Sequence, residues 1–284
     1  MNSISLTKMF DLENDGLNMA TDGQFLFIRC KRVIYKYSLS DMSQMEQNVL
    51  FKKDGKARSL SVFDKYVLLT DFCNLHILNK GDLQEQATLK LGANLSSDIW
   101  GARFDSQKVY VAVRNGKIAA VDIETMNVDK YDLTDSSFWD YCIAGNRIYA
   151  GTVQGELVEI DKSNMQVIRK TELSKNKNIY SVLFNDGLLY MVSQDRTIKV
   201  VDITSLEVVN IAKKAVGNMA NILGIQNDCL IVADSNKVSA WDTHTLQHRN
   251  TFYIPTGAWS KGTVLIGNRL IGSDFNSVYS AELE

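Results

Sequence analysis

Of the side chains that carry most enzyme chemistry, this 284-residue chain has three histidines and four cysteines, against 33 carboxylates. That ratio directs attention to the acids. His76 lies in apolar, strand-like text (NLHILN), while His244 and His248 share the stretch DTHTLQH. A four-residue spacing would put that pair on one face of a helix, but the surrounding text is turn and strand. Neither a zinc site nor a histidine relay is therefore expected. Cys30, Cys73, Cys142 and Cys229 show no CxxC spacing and stand mostly in apolar runs, as structural thiols do. No P-loop, GxGxxG, GxSxG or HExxH pattern occurs. What remains is a pair of acids beside tryptophans: Asp98, just before Trp100, and Asp140, directly after Trp139. A carboxyl held against an aromatic wall loses hydration, which raises its pKa and suits it to acid catalysis beside an ionised partner.

The elements that must position these residues come from an internal repeat. A polar residue ending an apolar run recurs about every forty residues, at Ser38, Asn79, Asp122, Asp161, Asp202, Asp242 and Glu282. Each unit follows the plan clearest in KVYVAVRNGKIAAVDIETMNVDKYDL, residues 108–133. One β-branched and aromatic run leads through Asn115-Gly116 into a second, and a polar turn then feeds a weaker, alternating strand. Asn-Gly between two such runs marks a hairpin, because both turn positions favour positive φ. A further strand precedes each hairpin, as in YSVLF (180–184). Four strands per unit match one blade of a β-propeller. The last unit stops after its third strand, and the N-terminal segment 4–12 has the pattern to supply the fourth by pairing with the C-terminal blade, 257–284. The expectation is an all-β, closed, seven-bladed propeller of four-stranded antiparallel blades, one domain over 1–284. Pairing the two termini removes an open sheet edge.

The turns VDIETM, IDKSNM and VDITSL resemble those of bacterial propellers of the YVTN and quinoprotein-like kind, where a strand ends in Asp and a Thr-containing turn follows. The resemblance spans the whole chain and concerns the fold. Likeness to WD repeats is confined to the dipeptide Trp241-Asp242. Propellers that act as virginiamycin-type lyases have this size and blade number, but their chemistry uses a histidine at the channel mouth, and none is expected there in this sequence.

Aligning the blades on the second strand places Leu17, Arg58, Trp100, Trp139, Tyr180, Asn221 and Lys261 at one equivalent position near the start of each innermost strand, with Trp259 two residues before the last. Two readings stand side by side. The aromatics wedge between blades, or they wall an axial pocket with Arg58, Asn18, Asn221, Asp98 and Asp140 as its polar groups. A second equivalent set, Asp71, Asp234 and Asp274, is expected to cap turns rather than hold a cation.

A net charge of −2 and the lack of a polybasic run leave no surface for nucleic acid or anionic lipid. No apolar run is long enough to span a bilayer, and the first residues do not read as a signal peptide. A cytoplasmic monomer without cofactor or metal is expected. The function expected is binding: Trp100, Trp139, Tyr180, Trp259, Arg58, Asn221 and Asn18 receive a peptide, protein or small ligand at the axial face. The alternative is a small lyase, cyclase or hydrolase using Asp98 and Asp140 as acid and base and Arg58 to stabilise an anion.

Overall fold

A computed structural model describes residues 3–12, 16–49, 59–92, 99–234, 237–253, 262–274 and 276–283. Seven sheets form the blades, each built on four antiparallel strands, with a fifth strand added to that of blade six. Their innermost strands are Gly16–Thr21, Ser59–Phe63, Ile99–Asp105, Phe138–Ala144, Ile179–Asn185, Asn221–Gln226 and Thr263–Ile266 in blades one to seven. Each adjoins the next around the axis, and the last adjoins the first. The ring is closed. Among the described residues, no helix is long and apolar enough to cross a membrane.

Side-chain alternation explains the near-continuous apolar runs. In Lys108–Val113, the second strand of blade three, Val109 and Val111 pack with Leu68 and Ile77 of blade two. Tyr110 and Ala112 point the other way and pack with Ile148 and Ala150 of blade four. A strand between two blades is buried on both faces, so both of its period-two sets are apolar. Each pair of neighbouring blades encloses its own core in this way, including blades seven and one, where Ile271 and Val278 meet Leu26, Ile28 and Tyr35.

Closure uses the N-terminus, with one difference from the expected strand over 4–12. Thr7–Asp11 pairs antiparallel with Ser277–Glu282 and completes blade seven. Ser3–Ser5 instead pairs parallel with the outermost strand of blade six, Ser3 opposite Thr251 and Ser5 opposite Tyr253. Leu6, between the two segments, is buried in the core between blades six and seven, while Leu12 enters the core between seven and one. Anchoring on two successive cores makes the chain change sheets.

The repeated corner has a clear cause. All seven marker residues end third strands. At Asp122, Asp202 and Asp242 the carboxylate accepts the N–H groups two and three residues on, at 2.8–3.1 Å. Four residues after the marker stands an apolar residue in the left-handed region: Met42, Leu83, Met126, Met165, Leu206 and Leu246, with φ of 52–59°. Bulky side chains rarely adopt this conformation. Here burial of the side chain, as at Leu83 and Leu206, compensates. The Asn115-Gly116 hairpin has φ of 62° and 67°, as its sequence implies. A Cβ on Gly116 would stand 1.8 Å from the Thr134 carbonyl oxygen, so the position admits only glycine.

Candidate functional site

An innermost strand pairs with its blade along one edge and leaves the other facing the axis. Those backbone groups need partners, and in blades three to six the preceding blade supplies some of them. Ser61 Oγ of blade two donates to the Ala102 carbonyl of blade three at 3.2 Å. Arg103 Nε donates to the Tyr141 carbonyl of blade four at 2.9 Å. The Val182 N–H of blade five donates to Asp140 Oδ2 at 3.0 Å, and the Ile222 N–H of blade six donates to Ser181 Oγ at 3.3 Å. The polar residues of the channel stitch blade to blade.

Asp140 is the centre of this stitching. Its Oδ1 lies 2.9 Å from Arg103 Nη2, and its Oδ2 also accepts from Ser181 Oγ at 3.0 Å. The carboxylate is largely buried, with 16% of its side chain exposed, whereas Arg103 reaches into the channel with 47% exposed. The charge of Asp140 holds the guanidinium above its ordinary pKa. Beneath the pair, the buried Tyr141 hydroxyl donates to the Tyr110 carbonyl, and burial pushes its pKa up. Asn221 Oδ1 lies 3.3 Å from Ser181 Oγ.

The aromatic position of the sequence alignment is a shared β-bulge. Register between the two inner strands slips at Trp100, Trp139 and Tyr180, and at Leu17 in blade one. An extra residue of this kind bends the strand and increases its local twist. Tyr180 packs with Tyr190, Val192, Ile222 and Val232 between blades five and six, and burial raises its pKa. Trp139 is half-buried and meets it edge-on at 5.3 Å between ring centroids. Both rings also line the channel mouth. For these two residues the wedge and the pocket wall are the same place. Arg58, Asp98 and Trp259 lie outside the described residues, as does the Trp100 side chain.

The channel holds two cavities. The upper one, at the start of the innermost strands, measures about 140 Å³ and draws residues from all seven blades, among them Asn18, Ser59, Gly101, Trp139, Tyr180, Asn221 and Thr263. Two of its wall atoms, Asn18 Oδ1 and Thr263 Oγ1, are buried and have no hydrogen-bond partner among the described residues. The lower cavity, at the other end of the same strands, measures about 410 Å³. Its walls are Val62, Phe63, Phe104, Ile143, Leu183 and Phe184, with Phe63 and Phe104 stacked at 3.8 Å. Arg103 touches both cavities. The lower ring was not anticipated, although its signal was available: an apolar residue is last or next to last in every innermost strand, as at Phe63, Phe104, Ile143 and Phe184. Cys142, also in its wall, has its thiol pushed up to about 12 by burial, which leaves it protonated and unreactive at neutral pH.

The remaining candidates serve the scaffold. Asp71 Oδ1 accepts the N–H groups of Cys73 and Asn74, and Asp274 Oδ1 those of Asn276 and Ser277. Asp234 Oδ2 accepts from the Gly217 N–H at 2.6 Å, tying a corner to a neighbouring loop. His76 is buried between Asp71 and Thr88. Burial opposes ionisation of Asp71, but hydrogen bonds from His76, Asn74 and Cys73 outweigh it and bring its pKa to about 2. His248 sits against Trp241 and Thr251, its pKa pushed down by burial. None of these groups lines either cavity. All four cysteines are free. Among the described residues no group of three potential metal ligands occurs.

No family model matches the sequence, and no curated protein does either. Among solved structures, the chain is similar to the WD40 domain of Neurospora crassa Pan2, with a TM-score of 0.79 and 12% identity, covering 100% of this chain and 97% of that one. At that identity the likeness concerns the fold, a seven-bladed β-propeller.

Proposed function

We propose that this propeller is a binding module whose upper channel mouth receives a peptide or protein segment, one polar side chain of which enters the axis. The observation that carries this reading is the pair of buried oxygens, Asn18 Oδ1 and Thr263 Oγ1, that have no partner among the described residues, in a small cavity that all seven blades wall. A buried acceptor without a donor costs on the order of 1–3 kcal/mol, which an incoming N–H or O–H would recover. A cavity of about 140 Å³ suits a single side chain better than a whole drug-sized ligand. Trp139 and Tyr180 add a rigid apolar wall beside it. The alternative, acid–base chemistry by Asp140, asks for a carboxylate with a free oxygen. Both oxygens of Asp140 are engaged, by Arg103, Ser181 and the Val182 N–H.

The test is selection from a displayed peptide library on the native protein, followed by titration of the selected peptides against Asn18→Ala and Thr263→Val. Binding at the mouth should weaken about tenfold or more in each variant, equivalent to about 1.4 kcal/mol, with thermal stability retained. Equal affinity for the native protein and both variants, or no enrichment of any peptide, would overturn the reading.

A further inference from the structure

An outermost strand presents a ladder edge through which sheets recruit additional strands. This chain guards most of these edges with charge. Glu46 stands in Gln44–Val49 of blade one, and Glu85 and Lys90 end the strand of blade two. Val128–Asp132 of blade three has Asp129, Lys130 and Asp132, and Gln166–Glu172 of blade four has Arg169, Lys170 and Glu172. Lys8 and Asp11 guard blade seven, and Ser3–Ser5 covers blade six. Blade five differs. Its outermost strand, Val208–Ala212, reads VVNIA and carries no charge. Val208, Val209 and Ile211 are 39%, 58% and 41% exposed.

The flanking residues supply the second observation. Glu207 precedes the strand and Lys213 follows it; both are exposed, and neither forms an ion pair among the described residues. EVVNIAK is therefore a self-complementary string about Asn210. We propose that this edge pairs antiparallel with the same edge of a second copy of the chain, across a two-fold axis at Asn210. In that register Glu207 faces the partner's Lys213 and Lys213 faces the partner's Glu207, while Val209 and Ile211 oppose each other twice. A parallel alignment would set like charge against like. The Ile211 N–H is turned off the blade's own ladder, donating to Asn210 Oδ1 at 2.8 Å, and is placed for transfer to an added strand. Blade six has a bulge at the equivalent Arg249, and beyond it residues 251–253, the counterparts of 211–213, accept the added strand Ser3–Ser5. One strand pair buries less than a permanent dimer requires, so the association is reversible and the monomer prevails at low concentration.

Sedimentation velocity over a concentration series at low salt reads this directly. The native protein should show a rising sedimentation coefficient, and Val209→Lys should abolish the rise without lowering the melting temperature. Glu207→Lys alone and Lys213→Glu alone should each weaken association about tenfold. An equimolar mixture of these two variants should restore it, because each then meets opposite charge at both sites. A native protein that stays monomeric throughout would overturn the proposal. So would Val209→Lys associating like the native chain, or a mixture no tighter than either variant alone.

Discussion

The two ends of the axial channel are built from the same innermost strands and differ in almost everything else. At the upper end polar side chains such as Asn18, Ser59, Asp140, Asn221 and Thr263 stand beside Trp139 and Tyr180, all seven blades contribute, and the cavity is about 140 Å³. At the lower end blades two to six contribute, aromatic and aliphatic groups line the wall, and the cavity is about 410 Å³. Most polar groups in the upper half are already committed, to the next blade's backbone or to one another. The apolar groups in the lower half have no such obligation. A polar lining therefore reads first as the means by which a ring of sheets satisfies its inner edges. Among the described residues, the buried oxygens of the upper wall that remain without a partner are Asn18 Oδ1 and Thr263 Oγ1.

The most severe test of this contrast is Asp140→Ala. It strands Arg103 and leaves the Val182 N–H without its acceptor, so chemical denaturation should show a loss of about 3 kcal/mol, reduced toward 2 by the exposure of Arg103. A loss below about 1 kcal/mol would mean that the carboxylate is free for other work and would revive the acid–base reading.

Asp71, at a blade corner, gives the next effect through pH. Its folded pKa is lowered from 3.8 to about 2, so the stability it contributes is present above pH 4 and is lost as pH falls from about 4 to about 2. That is about 2 kcal/mol by linkage. Asp71→Asn should flatten the acid limb of the stability curve in that window and leave the neutral region otherwise parallel. An unchanged acid limb would contradict the assignment.

Truncation at the lower end should cost less. Phe104→Ala removes a half-buried ring stacked on Phe63, for a loss of about 1–2 kcal/mol. Phe63→Ala, on the more exposed partner, should lose less than 1 kcal/mol. Both should reduce the fluorescence of a hydrophobic dye bound to the native protein, while affinity at the upper mouth stays within twofold. Smallest of all is the response of Cys142: maleimide should leave it unlabelled at pH 7 until the protein unfolds. Rapid labelling of the native state would show the lower wall to be open and the thiol ionisable.

The scaffold was legible in the residues because it repeats. Asp122, Asp161, Asp202 and Asp242 mark the same corner, and the left-handed Met or Leu four residues later belongs to the same geometry. The site was legible only in part. Trp139 and Tyr180 were placed correctly at one equivalent position, but that position is a bulge, a feature no spacing in a single chain announces. Asp140 stood out as an acid beside a tryptophan. Its partners Arg103, Ser181 and Val182 lie 37 to 42 residues away in sequence, on two other blades.

The sequence by itself determined the number of blades, their strand order and the use of the N-terminus for closure. Those features rest on local periodicity, turn chemistry and burial of both strand faces, all written within about forty residues at a time. Only the tertiary structure decided which polar groups are spent on stitching and which remain, and that the N-terminal segment divides between blades six and seven. Both depend on distances between residues of different blades. Ring closure sets those distances, and no local pattern encodes them.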